Sequence, residues 1–167
     1  MQQLREVILH IAASEDGFIA TLDDGLDWLP TPNETQDFGM NAFMDTIDCV
    51  LIGRRTWEIA LTLEEHPFAN FERHIFSHAT GEATHIVEEL KKRNGLNIWL
   101  LGGGILNASL LKAKLVDEVV ITTIPITLQK GIPIFGPLGT TIPEEWKLKK
   151  TVHYTDHNST QETWRRQ

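Results

Sequence analysis

The sequence holds a single cysteine, Cys49, among its 167 residues. One thiol closes no internal bridge, which excludes a disulfide scaffold and points to a reducing compartment. Positive charge is also scarce: 15 Lys and Arg stand against 23 Asp and Glu, a net charge of −8. Binding along a phosphate backbone or an anionic membrane needs a basic face. Here the basic residues are dispersed, and the short clusters Lys91-Lys92-Arg93 and Arg165-Arg166 read as solvated surface. No apolar run approaches the ~18 residues of a membrane span. The first one, residues 7–13, contains His10 and leads into Glu15-Asp16 instead of a cleavage site. Together these absences predict a cytoplasmic protein with neither nucleic-acid nor membrane partners.

Other signatures are missing too. There is no internal repeat and no low-complexity tract, so residues 1–167 read as one domain. The seven histidines are scattered, with no H-E-x-x-H and no His/Cys cluster along the chain, which predicts no metal site. No G-x-S-x-G marks a hydrolase nucleophile at Ser14, Ser77 or elsewhere. An apolar share of 41% and a charged share of 23% are ordinary for a globular chain. A domain of this length buries roughly two thirds of its unfolded surface and needs no staple.

Strand and helix signals alternate. Residues 7–13 are nearly all apolar, the mark of a strand covered on both faces, with His10 read as a hydrogen-bonded core histidine. A loop rich in Asp-Gly and Pro follows. A helix is predicted over 37–47, with Phe38, Ala42 and Phe43 on one side. Strands are predicted over 48–52, 74–77, 97–101 and 118–126, and helices over 56–63, 84–93 and 105–114. Residues 147–153 and 161–165 flank a turn-rich segment and predict an antiparallel hairpin. Trp57 and Trp99 read as core, and Trp28 as the cover of a pocket. The order describes an α/β sandwich whose mostly parallel sheet ends in antiparallel strands. Ligands of such sheets bind at the carboxyl ends of the strands.

Two short segments fall at such ends. Leu101-Gly102-Gly103-Gly104 lies between a strand and a helix. Lacking a Cβ, this backbone can approach a pyrophosphate, and the helix N–H groups point at it. The segment lacks the G-x-G-x-x-G spacing, since Asn107 holds the last position, and no acidic residue ends a strand about twenty residues on. It reads as a phosphate loop outside the Rossmann pattern, or as a tight turn without ligand. Gly53-Arg54-Arg55-Thr56-Trp57-Glu58 follows another buried strand. Two arginines oppose the positive end of a helix dipole, at about 0.3–1 kcal/mol each, unless an anion is bound there.

These segments resemble known ones. Gly53-Arg54-Arg55-Thr56-Trp57-Glu58 is similar to the G-R-x-T-W-E segment of dihydrofolate reductases, and Leu101-Gly102-Gly103-Gly104 to their I-G-G-G. Ser14-Glu15-Asp16-Gly17-Phe18-Ile19-Ala20 and Leu26-Asp27-Trp28-Leu29 resemble motifs of riboflavin-type reductase domains. Leu115-Val116-Asp117-Glu118 and Gly131-Ile132-Pro133-Ile134-Phe135 match the related L-V-D-E and G-x-P-L-F pattern. The resemblance runs in register over about residues 7–136. It implies a dihydrofolate-reductase-like three-layer sandwich, a reductase acting on a pterin, aminopyrimidine or similar heterocycle, and a homodimer. The predicted C-terminal hairpin leaves an edge that needs covering, with Trp164 a large apolar residue there.

The same resemblance implies NADPH. Arg54 and Thr56 would lie near the adenosine phosphates, Ser77 near the 2′-phosphate, and Gly103, Gly104, Ile105 and Leu106 at the pyrophosphate. Ala13 and Ile19 would line the nicotinamide side, and Asp27, Trp28 and Thr122 the substrate. Where riboflavin-pathway reductases carry an acidic residue before the glycines, this chain has Gly102, and no arginine pair follows Trp28. That predicts an unphosphorylated substrate. The short segment after Ser77 predicts a reduced adenine pocket. Reducing a C=N bond needs a proton, for which Asp37, Glu34, Asp27 and water are candidates; Asp37 also suits a helix N-cap.

Overall fold

The structure is a computed structural model that describes residues 4–31, 36–77 and 81–167. Five strands run parallel: β1 (Val7–Ser14), β3 (Ile47–Gly53), β4 (Glu72–Phe76), β5 (Asn97–Gly102) and β6 (Glu118–Ile124). A hairpin of β8 (Trp146–Tyr154) and β9 (Ser159–Arg166) adds antiparallel to β6, giving the order β4-β3-β5-β1-β6-β9-β8. A small second sheet pairs β2 (Phe18–Ala20) with β7 (Ile132–Pro133), which the sequence pattern does not reveal because each is so short.

Period-two alternation divides the sheet's side chains between two layers. Cys49 and Leu51 of β3 join the larger core, with Leu9, Leu100 and Val119. Helices α3 (Gly81–Lys92) and α4 (Gly104–Lys112) cover it; α3 contributes Ala83, Val87 and Leu90, at spacings of four and three. Val50 and Ile52 face the other way, against Trp99, and are covered by α1 (Met40–Met44), α2 (Arg54–Leu63) and Phe68. The architecture is therefore the three-layer α/β sandwich expected, with a mostly parallel sheet and antiparallel strands at its C-terminal end. Among the described residues no helix is long and apolar enough to cross a membrane.

One helix differs from expectation. The predicted helix over 37–47 shrinks to Met40–Met44, because Phe38 (φ 54°) and Gly39 (φ 75°) both sit in the left-handed region, which a right-handed helix cannot include. Phe38 is buried outside the helix, Ala42 is exposed, and Ile47 already belongs to β3. Gly39, not Asp37, occupies the N-cap position; the Asp37 carboxylate accepts from the Gly39 and Asn41 N–H groups at 2.9 and 3.0 Å.

Polar clasps hold the amino end of the sheet. Asp117 accepts from the Val7 N–H at 2.8 Å and from Lys91 at 2.5 Å. Arg165 bridges Glu6 and Glu118 across β1, β6 and β9, with contacts of 2.7–2.9 Å. At the carboxyl end, Asp16 accepts from the Ser14 hydroxyl (2.6 Å) and from the Leu128 and Gln129 N–H groups (3.1 and 2.7 Å), fixing the loop after β1. So Asp16, Asp117 and Glu118, the acids of two of the family motifs, serve the frame around the site.

Candidate functional site

The two anion-suited turns meet. Gly53 ends β3 as the N-cap of α2, and Gly103 follows β5 as the N-cap of α4. A Cβ on Gly53 would lie 3.2 Å from the Gly103 nitrogen and 3.3 Å from the Gly102 oxygen, so the two turns lie close enough to leave a side chain at Gly53 little room. The Thr56 hydroxyl lies 3.4 Å from where a Gly103 Cβ would stand. Neither helix has a side-chain cap or an acid in its first turn. Two sets of first-turn N–H groups and two positive dipole ends thus adjoin one crevice.

Beside this crevice, on the α1 face of the sheet, lies a cavity of about 300 Å³. Its floor is His10 and Ala12 of β1, Trp99 and Leu101 of β5, and Thr122 and Ile124 of β6; Leu29, Pro30, Phe38 and Met40 wall it. The lining is apolar apart from His10 and Thr122, as expected for a planar organic ligand. His10 is 7% exposed, its ring packed on Phe43 with centroids 4.3 Å apart and planes tilted by 31°. Burial pushes its pKa down to about 4, so the ring is neutral near pH 7. The buried position was expected; the hydrogen bond was not found, since among the described residues neither ring nitrogen has one.

Thr122 is set by a relay that sequence reasoning missed. Gln161 donates both amide hydrogens, to the Phe38 carbonyl (3.0 Å) and to Thr122 Oγ1 (2.9 Å), and accepts from the Tyr154 hydroxyl at 3.3 Å. Gln161 sits on β9, where only the register Thr122↔Gln161 brings it to the cavity. No motif marks it.

The predicted site residues divide three ways. Gly103 and Thr56 come together at the crevice, and Thr122 stands in the cavity. Arg54 is exposed, bonded to Glu58 Oε1 at 3.1 Å, and Ile105 projects at 68% exposure from the first turn of α4. Ser77 is exposed at the end of β4, beside a second cavity of about 390 Å³ lined by Arg73, His74 and Glu82, so a hollow exists on that side despite the short segment. The buried side chains of Ala13 and Leu106 belong to the larger core, which leaves their backbones to meet a ligand, and the half-buried Ile19 packs on that core. Gly104 has a packing reason of its own: a Cβ there would fall 2.4 Å from the Pro133 oxygen.

The substrate-side acids do not gather at the cavity. Asp27 is exposed and Trp28 half-buried, its Nε1 donating to the Gly25 carbonyl at 3.2 Å; that turn lends Leu29 and Pro30 to the wall instead. The Asn41 and Gly39 N–H groups hold the Asp37 carboxyl below the usual range. Glu34 lies outside the described residues. Arg55 reaches back to Asp24 at 2.6 Å and ties the 21–30 loop to α2.

Strand pairing also sets ligand atoms of Cys49, Glu72 and His74 within 4.8 Å of one another, a grouping invisible in sequence spacing. Both Glu72 oxygens already accept from Arg93 (2.9 and 3.0 Å), one of them also from His74, and burial pushes the Cys49 thiol up to about 12. That chemistry suits a salt-bridged sheet edge better than a cation cage.

Comparison with known proteins agrees with this geometry. The RibD C-terminal domain family matches residues 62–160. The uncharacterized protein YwjB of Bacillus subtilis (strain 168) is 34% identical over 163 residues, covering 90% of this chain and 92% of YwjB. A candidate riboflavin biosynthesis protein from Shewanella sp. PV-4 superposes with a TM-score of 0.76 at 28% identity, over 97% of this chain and 99% of that one. Dihydrofolate reductase from Enterococcus faecalis, solved with NADP(H), shares the fold at a TM-score of 0.62 and 17% identity, over 96% of each chain. With the sheet order, the paired glycine turns and these likenesses together, the chain belongs to the RibD C-terminal domain family and has a dihydrofolate-reductase-like reductase fold.

Proposed function

We propose that this chain is an NADPH-dependent reductase of an uncharged heterocycle such as a pterin or aminopyrimidine, working in the reducing cytoplasm. The observation that carries the reading is the contact of two uncapped glycine N-caps beside an apolar cavity. A cradle of this shape fits a pyrophosphate: backbone N–H groups of Gly103, Gly104, Ile105 and Leu106 and the Thr56 hydroxyl would hold it. Arg54 and Ser77 would take the adenosine phosphates, and the backbone at Ala13 and Ile19 the nicotinamide side. When bound, NADPH supplies the hydride.

The chain's own residues position and exclude. Leu29, Pro30, Phe38 and Met40 shield the ring from water, and Thr122 orients it through its hydroxyl. Asp37 is occupied by its turn, which leaves protonation to water or to Glu34. The test is loss of reduced-nicotinamide absorbance with pterin-type and aminopyrimidine substrates side by side. Turnover of either supports the reading. A second reading, a non-catalytic NADPH-binding module, draws on the absence of a poised acid among the described cavity residues; NADPH binding without oxidation by any ring would select it.

A further inference from the structure

His10 lines the cavity at 7% exposure, and among the described residues its ring makes no hydrogen bond; it packs on Phe43 with the ring planes tilted by 31°. A histidine in an otherwise apolar floor favours an occupant that pairs with its ring nitrogens. Thr122 makes a matching demand. Its oxygen already accepts from Gln161, which leaves the hydroxyl proton to be donated, and among the described residues no acceptor receives it.

The two groups share one sheet face. His10 pairs with Val120 and Ala12 with Thr122, so His10 and Thr122 are diagonal neighbours on adjacent parallel strands. A flat ring with polar atoms on two edges can meet both, lying between Trp99 and Leu101 below and Phe38 and Met40 above. No lysine or arginine is among the cavity's described lining residues, so nothing there would neutralise a phosphate.

We propose that His10 is the specificity-determining residue of this cavity: its imidazole hydrogen-bonds one polar edge of an uncharged, unphosphorylated planar heterocycle whose other edge accepts from Thr122. The proposal rests on the reductase reading for what happens to the ring, and not for its binding. Burial keeps the imidazole neutral, so it offers one donor and one acceptor and adapts its tautomer to a ring N–H or a ring carbonyl. A cationic ring would find no counter-charge in the described lining.

The experiment uses the full chain with ¹⁵N-labelled histidine. The His10 ring signals are assigned by their loss in His10→Phe, a change that keeps an aromatic ring packed beside Phe43. Pterin is titrated without NADPH, in parallel with the phosphorylated ring 5-amino-6-(5-phosphoribosylamino)uracil. Pterin should shift the His10 ring nitrogens, bind more tightly than the phosphorylated ring, and lose about tenfold in affinity in His10→Phe. NADPH affinity should be the same in both proteins. Pterin binding with the His10 signals unmoved, equal pterin affinity in the variant, no pterin binding, or tighter binding of the phosphorylated ring each overturns the proposal. If His10→Phe does not fold, the histidines are assigned by other single substitutions and the wild-type shifts decide. A chain that takes pterin through His10 but never binds NADPH would remove the reductase reading and leave this one standing.

Discussion

Protonating His10 should cost this protein about 2 kcal/mol of stability between pH 7 and pH 5. The ring's pKa lies near 4 in the folded chain against 6.5 for an unburied histidine, because burial removes the water that would solvate the cation. The folded value is depressed, so the unfolded chain binds the extra proton first. The contribution is complete above about pH 6.5 and is lost as pH falls toward 4. A displacement of about 2.5 units corresponds to about 3 kcal/mol in full, of which roughly 2 kcal/mol falls between pH 7 and pH 5. Glu6, Asp16 and Asp37 have lowered values and act below that window. Urea unfolding of the wild type and of His10→Phe at pH 7 and pH 5 isolates the term. The wild type should lose about 2 kcal/mol more than the variant over this interval. Parallel losses would show that His10 is solvated or paired in the folded chain, and the description of the cavity floor would be wrong.

Other outcomes follow from the same geometry. Gly103→Val should remain folded, since its Cβ would meet only the Thr56 hydroxyl at an ordinary 3.4 Å, yet lose NADPH binding; an undiminished NADPH titration would exclude this turn as the phosphate site. Arg54→Ala should weaken NADPH binding more than NADH binding, and equal losses would show that this exposed guanidinium does not read the 2′-phosphate. Glu34→Gln should lower kcat more than Asp37→Asn if Glu34 rather than water gives the proton, and a larger effect from Asp37→Asn on kcat than on stability would return the role to Asp37. We also propose a homodimer; Trp164 is half-buried against the core, and the free β8 edge carries Lys147, Lys149 and Lys150. Sedimentation should give twice 18.9 kDa at micromolar concentration, and a mass of 18.9 kDa would remove the dimer.

The fold was legible because its signals are strong and local. Buried parallel strands carry continuous apolar runs such as residues 49–52, and glycine or Asn-Gly punctuates the helices between them. The glycine turns were legible as anion-suited, but not as adjoining, because the closeness that would put a Gly53 Cβ 3.2 Å from the Gly103 nitrogen depends on β3 and β5 being neighbours. The helix over 37–47 was overestimated because left-handed backbone at Phe38 leaves no mark in a hydrophobic pattern. Gln161 could not be found at all: its role comes from strand register across 39 positions of sequence. His10 was placed correctly inside, but the hydrogen bond expected of it is not found among the described residues, since a pattern shows burial and says nothing of which neighbours carry acceptors.

The central claim is that the two glycine N-caps together hold NADPH, and thermal unfolding with and without the nucleotide tests it most directly. At ~100 times its Kd the ligand should stabilise the chain by about 2.7 kcal/mol, a rise of roughly 5–10 °C in Tm for a domain of this size. The account predicts that rise with NADPH, a smaller one with NADH at equal concentration, and none in Gly103→Val. Superimposable unfolding curves for the wild type with and without saturating NADPH would contradict it.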